Sequence, residues 1–111
     1  MPTTRQLPPL SHLQFLALGV ILSAEEPGRV IRDVVADFGV RRTGAAFYQL
    51  MARLERDGLV QGWYEPVIVG DQAVRERRYR ITASGTRAWR QTRVFYESVA
   101  AAAAQGRLAN A

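Results

Sequence analysis

Fifteen arginines, no lysine, no cysteine and a single histidine, His12, set the chemistry this chain can offer. Thiol nucleophiles, His or Cys metal clusters and the usual acid–base constellations all need residues the sequence does not supply. It also lacks a glycine-rich phosphate loop. No enzymatic activity, metal or cofactor is therefore expected. What remains is guanidinium chemistry, a planar fork of N–H donors that matches phosphate oxygens and the outer edge of guanine. The arginines are unevenly placed. Residues 1–74 carry seven Arg against eight Asp/Glu, whereas residues 75–93 carry Arg75, Arg77, Arg78, Arg80, Arg87, Arg90 and Arg93 against Glu76 alone. The net charge of +5 is thus expected to form one local patch, as a polyanion contact would, rather than a general solubilising coat.

A second concentration lies in RRTGAAFYQLMARLERDGL, residues 41–59. Phe47, Leu50, Met51 and Leu54 recur at helical spacing and predict a helix with one apolar side. At ~100° per residue, the opposite side carries Ala45, Gln49, Ala52 and Arg56, with Tyr48 and Arg53 on its flanks. Two outward alanines let a helix backbone approach base edges closely, while Gln can pair with adenine and Arg with guanine. Arg41 and Arg42 precede a helix N-terminus, where the dipole attracts phosphate, and Thr43 is placed to cap it. The candidate DNA-contact set is Arg41, Arg42, Thr43, Ala45, Tyr48, Gln49 and Arg53 from this helix, joined by Arg75 and Arg78 from the strands that follow. The plainer alternative is a solvated helix face on which Arg53 and Arg56 are balanced by Glu55 and Asp57.

The elements that must position these residues follow from local signals. Three prolines make residues 1–10 an irregular arm. Ser11 and Gln14 form a capping box for an apolar helix containing Leu13, Leu16, Leu18, Val20 and Ile21. Glu25-Glu26-Pro27-Gly28 breaks it. A second helix runs from about Arg29 to Phe38, with Val30, Ile31, Val34, Val35 and Phe38 on its apolar face, and Gly39 ends it. After Gly58, residues Gln61 to Val69 read as a strand, Gly70-Asp71-Gln72-Ala73 as a turn and Arg75 to Ile81 as the return strand. Arg77, Tyr79 and Ile81 share one face and Arg78 and Arg80 the other. Arg77 is expected under the inner face, which leaves Arg75 and Arg78 for phosphate. Trp63 reads as a packing residue.

From Thr82 the period returns to helical. Gly85, Ala88, Trp89, Thr92, Phe95, Tyr96, Val99, Ala102 and Ala103 make a stripe too long for so small a domain to cover, so a second copy is the expected partner. Trp89, Phe95 and Tyr96 either pack in the core or line an effector pocket at that interface, where a small aromatic ligand would stack. Arg87, Arg90 and Arg93 read as a solvated face, and His12 as an exposed first-turn residue.

The expected architecture is mainly α with a small β-hairpin wing (α+β), a winged helix-turn-helix with a C-terminal dimerisation helix. Its parts are a flexible arm (1–10), the DNA-binding domain (11–82), the dimerisation helix (83–105) and a disordered tail (106–111). The longest apolar run, Phe15 to Leu22, is too short to span a bilayer and no signal pattern opens the chain, so a cytoplasmic location is expected.

The residues also resemble the PadR family of winged-helix transcription regulators in its short form. The resemblance rests on LSHLQFLALGVIL, on Thr43 to Leu59 with its Tyr48 and RLExxGL ending, and on Arg77-Arg78-Tyr79-Arg80-Ile81-Thr82-Ala83-Ser84-Gly85. It covers roughly residues 11–98. The chain departs from the family pattern at Gly28-Arg29, where Gly-Tyr is common, and at Ala46, which brings no hydroxyl. The resemblance implies a homodimer, joined through the last helix, that binds a palindromic operator and usually represses. In some relatives a flat aromatic compound releases DNA. The competing expectation is a winged-helix protein–protein adaptor that does not bind DNA.

Overall fold

The computed structural model describes residues 7–110; most of the predicted arm, residues 1–6, lies outside them. Four helices accompany a three-stranded antiparallel sheet. In chain order they are α1 (His12–Val20), β1 (Glu26–Pro27), α2 (Gly28–Asp37), α3 (Gly44–Arg56), β2 (Val60–Val69), β3 (Gln72–Ile81) and α4 (Ala83–Ala104), with a final 3-10 turn at Leu108–Asn110. The sheet order is β1-β3-β2. This is a mixed α+β fold with a long hairpin as its wing.

Three of the four helices begin where a side chain satisfies an orphan backbone donor. The capping box at α1 is complete: Gln14 N–H donates to Ser11 Oγ at 3.1 Å and Ser11 N–H to Gln14 Oε1 at 3.0 Å. Thr43 Oγ1 accepts from the Ala46 N–H at 3.1 Å, and Thr82 Oγ1 from the Gly85 N–H at 3.0 Å. Pro27 stands at the N-cap of α2, without a side-chain cap.

The core gathers Leu10, Ala17, Leu18 and Ile21 against Ile31 and Val35 of α2, Phe47, Met51 and Leu54 of α3, and Val60, Tyr79 and Ala88. All three of the α3 residues are essentially inaccessible. That fixes which side of α3 remains outside. The two motif segments of the sequence meet here. Thr82 donates through its hydroxyl to the Gly58 carbonyl at 2.6 Å and through its N–H to the Leu59 carbonyl at 3.1 Å. Gly85 lies so close to the Leu59 carbonyl that a Cβ would collide with it and would meet Ile81 Cγ1 at 2.7 Å. The end of α3 is thereby locked to the start of α4.

Three expectations need correction. Glu26 and Pro27 do more than break a helix: they pair with Tyr79 and Arg78 and add a third strand. The hairpin loop is Gly70-Asp71 alone, since Val69 pairs with Gln72 and Ala73 with Ile68. Gly70 has φ 63°, and a two-residue loop with positive φ at its first position calls for glycine there. Phe38 caps α2 at its C-terminus and is 71% exposed instead of packing, because the chain turns outward at Gly39 (φ 91°). After Gly106 closes α4, Leu108–Asn110 forms one helical turn.

Candidate nucleic-acid interface

The surface of α3 opposite the core carries Ala45, Gln49, Ala52, Arg53 and Arg56, all exposed. Arg41, Arg42 and Thr43 lead into it and are exposed too. Thr43 spends a lone pair on the Ala46 N–H but keeps its hydroxyl hydrogen to donate. The approach to α3 is held by a residue that periodicity left on the outside: Arg32 of α2 donates from Nη2 to the Arg42 carbonyl at 3.1 Å. On one side of α3, Arg42, Gln49 and Arg53 border a hollow of about 520 Å³ shared with Ser11, His12 and Gln14 at the start of α1.

On the other side, a cleft of about 490 Å³ separates α3 from the wing. Tyr48, Ala52 and Glu55 form its helix wall, and Tyr64, Arg75, Arg77 and Tyr79 its wing wall. Tyr48 is 41% exposed. The hydroxyl end of its ring rests near Gly28, where an added Cβ would lie 3.0 Å from the Tyr48 hydroxyl and 3.2 Å from Tyr79. Gly28 therefore allows α2, α3 and β3 to converge. The guanidiniums of Arg75 and Arg77 sit 4.6 and 4.8 Å from the centre of the Tyr64 ring, within the range of a cation–π attraction. Arg77 also pairs with Glu55, Nη2 to Oε1, at 2.7 Å. Burial opposes the charge of Arg77, but its interactions with Tyr79 and the Glu55 carboxylate outweigh that and raise its pKa. Tyr79 is raised as well, by burial first, with Arg77 acting in the opposite sense, so it stays a neutral phenol. Arg75 is exposed and pairs with no carboxylate among the described residues.

Arg78 is engaged otherwise than expected. The face is the one expected, opposite Arg77 on β3, but there its side chain is only 21% exposed and points toward Glu25 at 3.8 Å and Glu65 and Glu76 at 3.6 Å each, instead of standing free for phosphate. These distances suit ion pairing but are too long for hydrogen bonds, and Nε is buried without a hydrogen-bond partner. Arg29 reaches the same Glu76 at 2.7 Å. Arg78 thus holds β1 and the hairpin together, and the wing cation turned toward α3's side is Arg75. The supposed single patch is divided by strand alternation: Arg75 and Arg77 on one sheet face, Arg78 and Arg80 on the other, and Arg87, Arg90 and Arg93 on α4.

The aromatic group of α4 is largely engaged within the chain. Trp89 stacks on Phe15 with ring centres 5.0 Å apart, donates to the Phe15 carbonyl at 3.1 Å and carries Arg93 over its ring. Tyr96 hydrogen-bonds to His12 Nδ1 at 2.6 Å, and Phe95 meets Tyr96 edge-on. This favours core packing over an effector pocket for Trp89 and Tyr96, and gives His12 a partner that its position in sequence did not suggest.

Sequence reasoning missed Tyr64, Arg32 and the Glu55–Arg77 pair. Tyr64 and Arg77 are direct cross-strand partners, which the hairpin register would have revealed had the loop been read as two residues.

A helix-turn-helix followed by a two-stranded wing, with the third helix exposed along one side, defines a winged-helix fold. Solved structures place it more narrowly. A PadR family transcriptional regulator from Eggerthella lenta is 25% identical, with a TM-score of 0.64 over 84% of this chain and 79% of that one. A PadR-like transcription factor from Bacteroides fragilis superposes with a TM-score of 0.68 at 15% identity, over 84% of this chain and 87% of that one. Bacillus subtilis PadR, solved in complex with operator DNA, gives 0.59 at 19% identity over 72% of this chain and 45% of that one. No protein-family profile and no curated protein matches the sequence. The fold is the PadR-like winged helix, shared with these transcription regulators. No helix among the described residues is long and apolar enough to cross a membrane.

Proposed function

We propose that this protein is a DNA-binding transcription regulator that reads a palindromic operator as a homodimer in the cytoplasm. The observation that carries the reading is the outward side of α3, where Gln49 stands exposed between Ala45 and Ala52 and is flanked by Arg42 and Arg53. Small residues let the helix sink into the major groove, Gln49 supplies base discrimination, and the arginines supply phosphate contacts that set affinity and orientation. A PadR solved with operator DNA shares the fold.

Dimerisation is supported by α4. Its 22 residues extend about 33 Å, and beyond Tyr96 nearly every residue is exposed, Val99 and Ala103 of the apolar stripe among them. A second α4 covering this length would set two α3 helices against successive major grooves, ~34 Å apart. Occupying a promoter in this way blocks polymerase, which makes repression the favoured outcome. With Trp89 and Tyr96 committed to Phe15 and His12, the reading does not include an aromatic effector.

Selection of bound sequences from random DNA, followed by mobility shift, tests it. Enrichment of an inverted repeat with half-sites about one helical turn apart is expected. Absence of binding even at low salt would leave the adaptor reading in its place.

A further inference from the structure

Resting on the DNA-binding reading, we infer that Glu55 and Gly62 set the angle between the recognition helix and the wing, with Arg77 as the strut between them. Among the described residues, the Glu55–Arg77 pair is the one ion pair that joins α3 to the wing strands. Its floor is Gly62 of β2. A Cβ at that position would collide with Glu55 Oε1, lie 2.8 Å from Arg77 Nη2 and 3.0 Å from Tyr79 Cε1. The carboxylate and guanidinium therefore occupy the volume in which any other residue would place its side chain. Gly62 does not have positive φ, so close approach, not backbone conformation, accounts for glycine here.

The strut has a direct consequence for the exposed groups. Arg77 lies over Tyr64, and Tyr64 carries Arg75 at 4.6 Å from its ring centre. Fixing Arg77 to α3 fixes where Tyr64 and Arg75 stand relative to Tyr48 and Ala52 across the cleft. Glu55 is then a positioning residue. It places a carboxylate close to a surface meant for a polyanion, which costs affinity by repulsion, in exchange for a wing held at one angle. Arg77 is withdrawn from phosphate binding by this pairing, and Arg75 is left as the wing's phosphate contact.

Gly62→Ala separates position from charge, because it displaces the pair without removing either partner. The colliding atoms are the ends of flexible side chains, so the variant should fold, as its thermal midpoint will report. Fluorescence anisotropy with the selected operator and with random-sequence duplex, each over a salt series, provides the readout. For Gly62→Ala the expected result is about a tenfold loss on operator with random-DNA affinity and salt slope unchanged, the size of one misplaced specific contact. Glu55→Gln should lower the operator-to-random ratio in the same direction, and serves alone if Gly62→Ala does not fold. Arg75→Ala should weaken both DNAs alike and reduce the salt slope by about one.

Two results would overturn the inference while leaving the regulator reading intact. One is an unchanged operator-to-random ratio in both Gly62→Ala and Glu55→Gln. The other is tighter binding by Glu55→Gln with the slope raised by about one, which would mean that Glu55 merely competes with phosphate for Arg77. Wild-type protein that binds neither DNA overturns both.

Discussion

Arg78→Ala should damage the fold and spare the DNA contacts, the reverse of what its place in an arginine run suggests. The substitution removes the cation that faces Glu25, Glu65 and Glu76 at 3.6–3.8 Å. Glu25 and Glu65 are nearly half exposed, so each pair contributes about 0.5 kcal/mol, within the range of solvent-screened pairs. Glu76 is only 14% exposed and contributes more, about 1 kcal/mol. That is less than for a fully buried pair, because Arg29 still holds its other oxygen at 2.7 Å. The expected loss is about 2 kcal/mol, or about 10 °C in the unfolding midpoint of a domain this size. Circular dichroism melts give the midpoint, and anisotropy over a salt series gives the number of phosphate contacts. Stability should fall while the salt slope stays at the wild-type value. A midpoint within about 2 °C of wild type together with a slope reduced by about one would refute the placement of Arg78.

Other substitutions probe other parts of the account. Gln49→Ala should relax base preference at one operator position per half-site, with a loss of about 1–3 kcal/mol on the best site and little on random DNA, read by competition binding. Val99→Asp with Ala103→Asp should convert a dimer to a monomer in light-scattering chromatography and weaken operator binding, without lowering the helix content of the subunit. Thr43→Ala should cost about 1 kcal/mol of stability through loss of the α3 cap, measured by denaturant unfolding. Gly85→Ala should be more damaging than any of these, since the added methyl meets the Leu59 carbonyl backbone rather than a movable side chain; soluble protein with a wild-type melting curve would contradict that packing.

The sequence disclosed the elements where one periodic signal governs. The α3 face was legible because Phe47, Met51 and Leu54 share a helical stripe and are all buried, which leaves Gln49 and Ala45 outside by geometry alone. The caps at Ser11 and Thr43 use local contacts and follow the rules for isolated helices. Strand faces were legible for the same reason, since alternation survives an error of two residues in the loop. Cross-strand partners were not. Reading the loop as Gly70 to Ala73 shifts every pairing and hides Tyr64 opposite Arg77. Charge compensation was the least visible. Nothing near Arg78 in sequence apart from Glu76 announces Glu25 and Glu65, which reach it only after β1 and β2 flank β3. Phe38 follows the apolar spacing of α2 yet stands 71% exposed, because Gly39 turns the chain before the core can cover it.

The central claim is that the open side of α3 enters the major groove, and the chain's lack of cysteine makes a direct measurement simple. Gln49→Cys, coupled to a copper–phenanthroline group, carries the only reactive thiol and cleaves DNA where that side chain lies. Bound to its selected operator, the conjugate should cut two clusters in the major groove about one helical turn, ~34 Å, apart. Retained binding with no cleavage at those positions would contradict the account.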